Sequence, residues 1–319
     1  MSTLLTHERL SKRYRFTGTL ALETGLHIGS GRGSTLTDAL VMRTADGEPY
    51  IPGSSFKGAL RSAVERIAPN IPGIRSCQLI ENGDTECLTV TRALQVWLQE
   101  EIRENCETAQ RTGQAYRRVI DDVAAQRLID HGICTEQELN TPAFARTLPY
   151  RFVERTLCDT CKLFGSTAFA AKVRVGDLRI KGAWVEMTEI RDGVGIDRDT
   201  ETAKPKIKFD LEVVPAQTDF AFRLDAENLS ERDLGLLCIG LQEFRAGVVP
   251  LGGRSTRGLG GCRLELGGIY EADLSNVGAL TRYLTAAKDA DRMTAYKAPE
   301  EIDEFIRASI HAILAQRGQ

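Results

Sequence analysis

The sequence predicts a mixed α+β fold. Three observations carry that expectation. Alternating apolar segments stand near both ends of the chain, each followed by apolar residues at helical spacing. Glycine-rich segments adjoin those strands. A charge-rich middle interrupts the pattern.

The elements justify themselves in order. From Tyr14 to Leu22 the residues Phe16, Leu20 and Leu22 share one face, which reads as a strand. The glycine-rich segment Gly25 to Ser34 follows, then Asp38 and a short apolar stretch, Ala39 to Met42. Asp46-Gly47, Pro49 and Pro52-Gly53 are turn chemistry. Phe56, Leu60, Val64 and Ile67 then predict an amphipathic helix over Ser55 to Ile67. Residues 68–156 are rich in charge and helix formers and carry four cysteines, so they read as a largely helical insertion.

A similar unit follows it. Ile207, Phe209, Leu211 and Val213 alternate with Lys208, Asp210 and Glu212, and Phe220, Phe222 and Leu224 form the next strand. Ser230 and Asp233 have capping-box spacing ahead of Leu234, Leu237, Leu241 and Phe244 on one helical face. The loop Gly252 to Gly261 leads to a strand with Cys262, Leu264 and Leu266. The tail is polar until Ile302, Phe305, Ile306, Ile310, Ile313 and Leu314, which form an amphipathic helix expected to pack on its own domain. Two strand-and-helix units around an insertion point to a split βαβ, ferredoxin-like core. The expected divisions are 1–67 and 157–269 for the two core halves, 68–156 for the insertion and 270–319 for a helical extension.

Composition bounds the function. The chain has 319 residues, 42% apolar and 27% charged, with a formal net charge of −3. A polyanion must therefore be met by local basic patches. Arg245, Arg254, Arg257 and Arg263 form one such run with no acid among them. The stretch Arg151 to Lys181 forms another, though either run also fits a solvated face. The N-terminus lacks a signal-peptide core and no apolar run is long enough to span a bilayer, so a cytoplasmic location without membrane contact is expected.

The glycine loops are the first chemical signal. Gly25, Gly29, Gly31 and Gly33 follow a strand, and glycine lets a backbone approach a phosphate closely. Because no helix follows directly, the segment is not a Walker loop. In the second loop Arg254 and Arg257 add guanidinium forks suited to phosphate oxygens. Tight turns between strands would need glycines as well. At Pro52 to Arg61, Ser54 and Ser55 precede the helix while Lys57 and Arg61 lie one turn apart on it. That suits a phosphate, or plain serine capping.

Eight cysteines are too sparse for a disulfide scaffold. Cys158 and Cys161 form a C-x-x-C knuckle, and Cys77 and Cys87 supply two further thiolates for a tetrahedral structural zinc. Cys106, or His131 with Cys134, are rival ligands, and Cys238 and Cys262 read as core thiols. By spacing alone Asp38 reads as a turn aspartate and His27 as a structural histidine.

Taken together, GLHIGSG (Gly25 to Gly31), Asp38, PYIPGSSFKGALR (Pro49 to Arg61), CDTCKLFGS (Cys158 to Ser166), GIDRDTETAK (Gly195 to Lys204) and GGRSTRGLGG resemble the RAMP superfamily of CRISPR-associated proteins, in particular the backbone subunits of type III effector complexes. The resemblance implies a modified ferredoxin-like (RRM-type) core with a β-hairpin thumb at about 194–209. It implies copies or paralogues stacked head to tail along a guide RNA. It makes Asp38 the residue that cleaves complementary target RNA, with magnesium or another divalent metal. It supports the four-cysteine zinc site as well. RNA contacts are expected from His27, Gly29, Ser30, Gly31 and Arg32 in the first loop and from Ser54, Ser55, Lys57 and Arg61 at the helix. Phe164 and Ser166 beside the knuckle, Ile196 and Arg198 in the thumb, and Arg254, Ser255 and Arg257 in the second loop complete the set. Two variants of this expectation are an inactive RNA-binding scaffold and a guide-processing ribonuclease with His27 as base.

Overall fold

The structure, a computed structural model, describes residues 9–31, 39–77, 102–130, 132–141, 143–166, 169–184, 187–196, 199, 202–288, 292–297 and 299–315. The chain opens with β1 (Lys12–Leu22), β2 (Tyr50–Ile51) and α1 (Gly53–Ile67). The helices α2 (Arg103–Thr112), α3 (Asp122–Asp130), α4 (Glu136–Leu139), α5 (Phe144–Thr156) and α6 (Asp159–Phe164) follow. Next come β3 (Val173–Val175), β4 (Leu178–Arg179), β5 (Glu189–Ile196), β6 (Ala203–Val213), β7 (Asp219–Glu227) and α7 (Glu231–Arg245). The chain continues through β8 (Cys262–Asp273), α8 (Val277–Thr285), β9 (Thr294–Lys297) and α9 (Ile302–Ala315). No helix among the described residues is long and apolar enough to cross a membrane.

The chain divides into two compact units. One holds the described residues of 1–10 and 68–172, and the other holds those of 11–67 and 173–319.

The second unit is built on a five-stranded antiparallel sheet in the order β3-β7-β1-β8-β9. On β1 the residues Tyr14, Phe16 and Leu20 are buried, facing Ala226, Leu224 and Phe220 of β7 across the ladder. This period-2 alternation gives the sheet one apolar face. Helix α1 brings Phe56, Leu60, Ala63 and Val64 to the core. The Phe56 ring lies 5.1 Å from Phe222 of β7 and 4.4 Å from Phe244 of α7. Emptying a fully buried ring position of this kind costs roughly 3–5 kcal/mol.

The helix boundaries show where local chemistry speaks. The capping box expected at Ser230 and Asp233 is present, with both reciprocal bonds, and starts α7. Helix α1 begins two residues earlier than its apolar spacing implies. Its first N–H, from Gly53, donates to the Asp177 carboxylate at 2.9 Å, so a residue distant in sequence caps it rather than a serine. Helix α9 packs along α7 and buries Ile302, Phe305, Ile306 and Ile313, as its stripe predicts. The tail before it is not featureless. Asn276 caps α8 by accepting from the Ala279 N–H at 2.8 Å, and β9 extends the sheet beside β8. A four-residue strand without strong alternation gives too short a signal to read from sequence.

The other unit has a core of Ile102, Tyr116, Leu128, Leu139, Phe144, Leu148 and Phe152 on α2 to α5 and the intervening turn. The capping box of Thr135 and Glu138 opens α4.

Candidate nucleic-acid interface and metal site

Strands β5 and β6 form a separate antiparallel hairpin in the sheet-bearing unit. Its root is where the two glycine loops meet. Leu26 bridges Val214 by a pair of backbone hydrogen bonds of 2.9 and 2.8 Å. The two loops are also joined directly. The N–H of Gly253 donates to the His27 carbonyl at 2.9 Å, that of Gly260 to the Gly25 carbonyl at 2.8 Å, and that of Gly261 to the Thr24 hydroxyl at 2.9 Å. Gly260 has φ +83°, and a Cβ there would sit 1.9 Å from the Leu251 carbonyl oxygen. Only glycine fits that position.

His27 is 8% exposed beneath this junction. Its Nδ1 lies 2.7 Å from the Glu212 carbonyl oxygen. A carbonyl only accepts, so Nδ1 carries the hydrogen and Nε2 is left as the acceptor in the neutral ring. Nε2 stands 3.2 Å from where a Cβ on Gly29 would be. Gly29 itself bridges Val41, and Ser30 donates its N–H to the Leu40 carbonyl.

The segment after Asp38 is anchored by Glu212, a residue whose role the alternation of β6 does not reveal. The Glu212 carboxylate accepts from the Val41 N–H at 2.9 Å, from the Thr188 hydroxyl and from Arg43. The Glu212 N–H donates to the Ala39 carbonyl at 2.9 Å. Burial alone would raise the carboxyl pKa, but the bonds from Thr188, Arg43 and Val41 hold it below the ordinary carboxylate range. Asp38, Arg32 and Arg198 lie outside the described residues. Ile196 ends β5.

In the second loop Ser255 to Arg257 form a single exposed helical turn. Arg254 adopts a left-handed backbone, φ 61°, and its guanidinium sits 4.2 Å from the Phe209 ring centre. Leu259 is buried against Leu211 and Val213 of β6. At α1, Ser54 is exposed and Lys57 half-buried. Burial first, and the Arg61 charge second, lower the Lys57 pKa. Arg61 is 8% exposed and pairs with Glu65 at 2.7 Å, which places it in the helix's own packing.

The cysteine site belongs to the helical unit. Cys77, Cys158 and Cys161 are buried with their sulfurs within 4.8 Å of one another, an arrangement able to hold a metal ion. Cys77 Sγ is 3.3 Å from Cys161 Sγ and 3.6 Å from Cys158 Sγ. Cys158 caps α6, its sulfur accepting from the Cys161 N–H. Asp159 clamps the approaching segment: its N–H donates to the Arg75 carbonyl and its carboxylate accepts from the Arg75 N–H. Cys87 and His131 lie outside the described residues. Cys106 and Cys134 sit in the separate helical core, where burial pushes both thiols up to about 12. Cys238 and Cys262 are buried thiols as expected, also raised to about 12 by burial. Phe164 is buried on α6, and Ser166 bridges Phe169 beside it.

The structure thus gathers His27, Gly29, Ser30, Arg254, Ser255 and Arg257 around the loop junction, and Cys77, Cys158 and Cys161 around one point. Glu212, Thr188, Phe209 and Asp177 gain roles that sequence reasoning did not assign. The nearest signal was the strict alternation placing Phe209 and Glu212 on opposite faces of one strand.

Comparison with known proteins adds two findings. A stretch of 53 residues is 51% identical to the CRISPR system Cms endoribonuclease Csm3 of Methanocaldococcus jannaschii, covering 15% of this chain and 21% of that protein. The chain therefore matches about a fifth of the length of this curated relative. The family model of the RAMP superfamily matches residues 19–263, from within β1 to the start of β8. That span includes both glycine loops, the cysteine triad and the hairpin, and it makes the chain a member of the RAMP superfamily.

Proposed function

We propose that the chain is a guide-RNA-binding backbone subunit of a type III CRISPR ribonucleoprotein, cleaving complementary target RNA at Asp38. The observation that carries this reading is the junction of the two glycine loops at the root of the β5–β6 hairpin. It holds an exposed turn, Ser255 to Arg257, beside glycine-rich backbone that can approach a phosphate closely. The sheet order supports a modified ferredoxin-like core, with β1-α1-β3 and β7-α7-β8 as its two halves. In this reading the hairpin is the thumb and unit 68–172 is the insertion. The relative named as an endoribonuclease supports cleavage as the activity. Other subunits of the superfamily would stack head to tail along the same guide.

The step would be attack of a ribose 2′-hydroxyl on the adjacent phosphorus: the 2′-O–P bond forms as the P–O5′ bond breaks, and the 2′-proton ends on the departing 5′-oxygen, giving a 2′,3′-cyclic phosphate and a 5′-hydroxyl. Magnesium or another divalent metal held at Asp38 would supply positive charge at the phosphate. The burial of His27 beneath two loops speaks against its use as the base of a guide-processing ribonuclease.

In the helical unit we assign the thiolate site to a structural zinc held by Cys77, Cys158 and Cys161, with Cys87 as the fourth ligand. Thiolates about 2.3 Å from a tetrahedral zinc stand about 3.8 Å apart. The observed sulfur spacings of 3.3 and 3.6 Å support that fit.

The decisive experiment is target-RNA cleavage by the reconstituted complex with magnesium, comparing the native chain with Asp38→Ala. Loss of cleavage at this subunit's position with RNA binding intact is the expected result. Persistent cleavage, or none by the native chain, would leave a scaffold subunit.

A further inference from the structure

Arg254 and Arg257 stand three residues apart in one loop and look alike in sequence as phosphate ligands. Their surroundings differ. Arg257 is exposed, and no ion pair or ring contact holds it among the described residues. Arg254 lies over Phe209 with its guanidinium carbon 4.2 Å from the ring centre, at a backbone conformation that residues with a side chain rarely adopt. The strand opposite that ring also makes room for it. Gly193 of β5 pairs directly with Phe209 of β6, and a Cβ on Gly193 would sit 2.1 Å from the ring. The ring therefore lies across the glycine, in space that a side chain at position 193 would fill. Phe209 packs further on Leu211, Val213 and Leu259.

These contacts complete a clamp. Glu212 fastens one face of β6 to residues 41 and 43, while Phe209, on the opposite face, meets the glycine-rich loop. The β5 strand itself is exposed, at Ile190 beside Glu212 (56%) and at Val194 just beyond the Gly193–Phe209 pair (50%). The lean of the hairpin is thus decided at its root.

We propose that Arg254 is a positioning residue, which sets the hairpin through a Gly193–Phe209–Arg254 stack, and that Arg257 is the phosphate contact of this loop. The proposal rests on the RNA-binding reading above and refines it.

The test is binding of the full-length chain to labelled single-stranded RNA over a series of salt concentrations. A lost phosphate contact makes the slope of log K against log salt shallower by about 0.7. Arg257→Ala should do that. Arg254→Ala should weaken binding about three- to tenfold with the slope unchanged, since what is lost is a stacked contact. Arg254→Lys keeps the charge but not the planar stack, and should lose most of what Arg254→Ala loses. Phe209→Leu should match Arg254→Ala, and the double variant should lose no more than either. The proposal is overturned if Arg254→Ala makes the slope shallower as Arg257→Ala does, if Arg254→Lys binds like the native chain, or if the two losses add. Salt-insensitive binding by the native chain would instead remove the RNA-binding reading itself. Gly193→Ala, which displaces the ring and leaves both arginines, supplies an independent check: it too should weaken binding at unchanged slope.

Discussion

In the sheet-bearing unit, the candidate RNA-contacting loops are held by main chain on main chain: Gly253 to His27, Gly260 to Gly25, Leu26 to Val214. In the helical unit, the segment at Arg75 to Cys77 has one main-chain bond, from the Asp159 N–H to the Arg75 carbonyl, and is otherwise held through side chains, three thiols and the Asp159 carboxylate. The first device leaves loop side chains, Arg257 among them, free of the fastening and exposed, which suits a ligand recognised by its backbone. The second is buried and serves cohesion. The two should therefore fail differently, one by loss of space and the other by loss of ligands.

Metal removal should give the largest effect. In the proposed zinc reading, Cys158→Ser or Cys161→Ser, or a strong chelator, should abolish metal binding and cost more than about 4 kcal/mol of the helical unit's stability. Metal analysis and thermal unfolding would check it. Native stability without any bound metal would erase the contrast, because the thiols would then be packing groups alone.

Gly260→Ala comes next. The new methyl meets the Leu251 carbonyl and a left-handed backbone at once, for about 3 kcal/mol. Denaturant unfolding should show this loss while zinc content stays at the native level.

Glu212→Gln should cost about 1.5–3 kcal/mol near neutral pH, from the charge-assisted bonds of Arg43, Thr188 and Val41. The Glu212 pKa is depressed in the folded chain, so its contribution is fully present above the ordinary carboxylate value of about 4.3. It is lost as pH falls through the folded value. The stability gap between native and Glu212→Gln chains should therefore close in acid, and a gap that persists there would assign the cost to packing.

The smallest effect is expected at α1. Lys57→Gln should leave stability within about 0.5 kcal/mol. It should make the salt slope of RNA binding shallower by about 0.7, because Lys57 is half-buried but reaches solvent.

Much of this molecule follows from local pattern. The alternation of Phe16, Leu20 and Leu22 determined β1, that of Phe220 to Leu224 determined β7, and Ser230 with Asp233 determined where α7 starts. The C-x-x-C spacing determined a pair of convergent thiols, because three residues make one helical turn. These are short-range effects, in which a residue's neighbours in sequence are also its neighbours in space.

The tertiary structure decided what depends on distant partners. Asp177 rather than a serine caps α1, Arg61 turns to Glu65 rather than outward, and Cys77 rather than Cys106 or Cys134 joins the knuckle. It also separated two arginines that the sequence presents as equals. Which of them meets an aromatic ring depends on a strand more than forty residues away, and no local spacing encodes that distance.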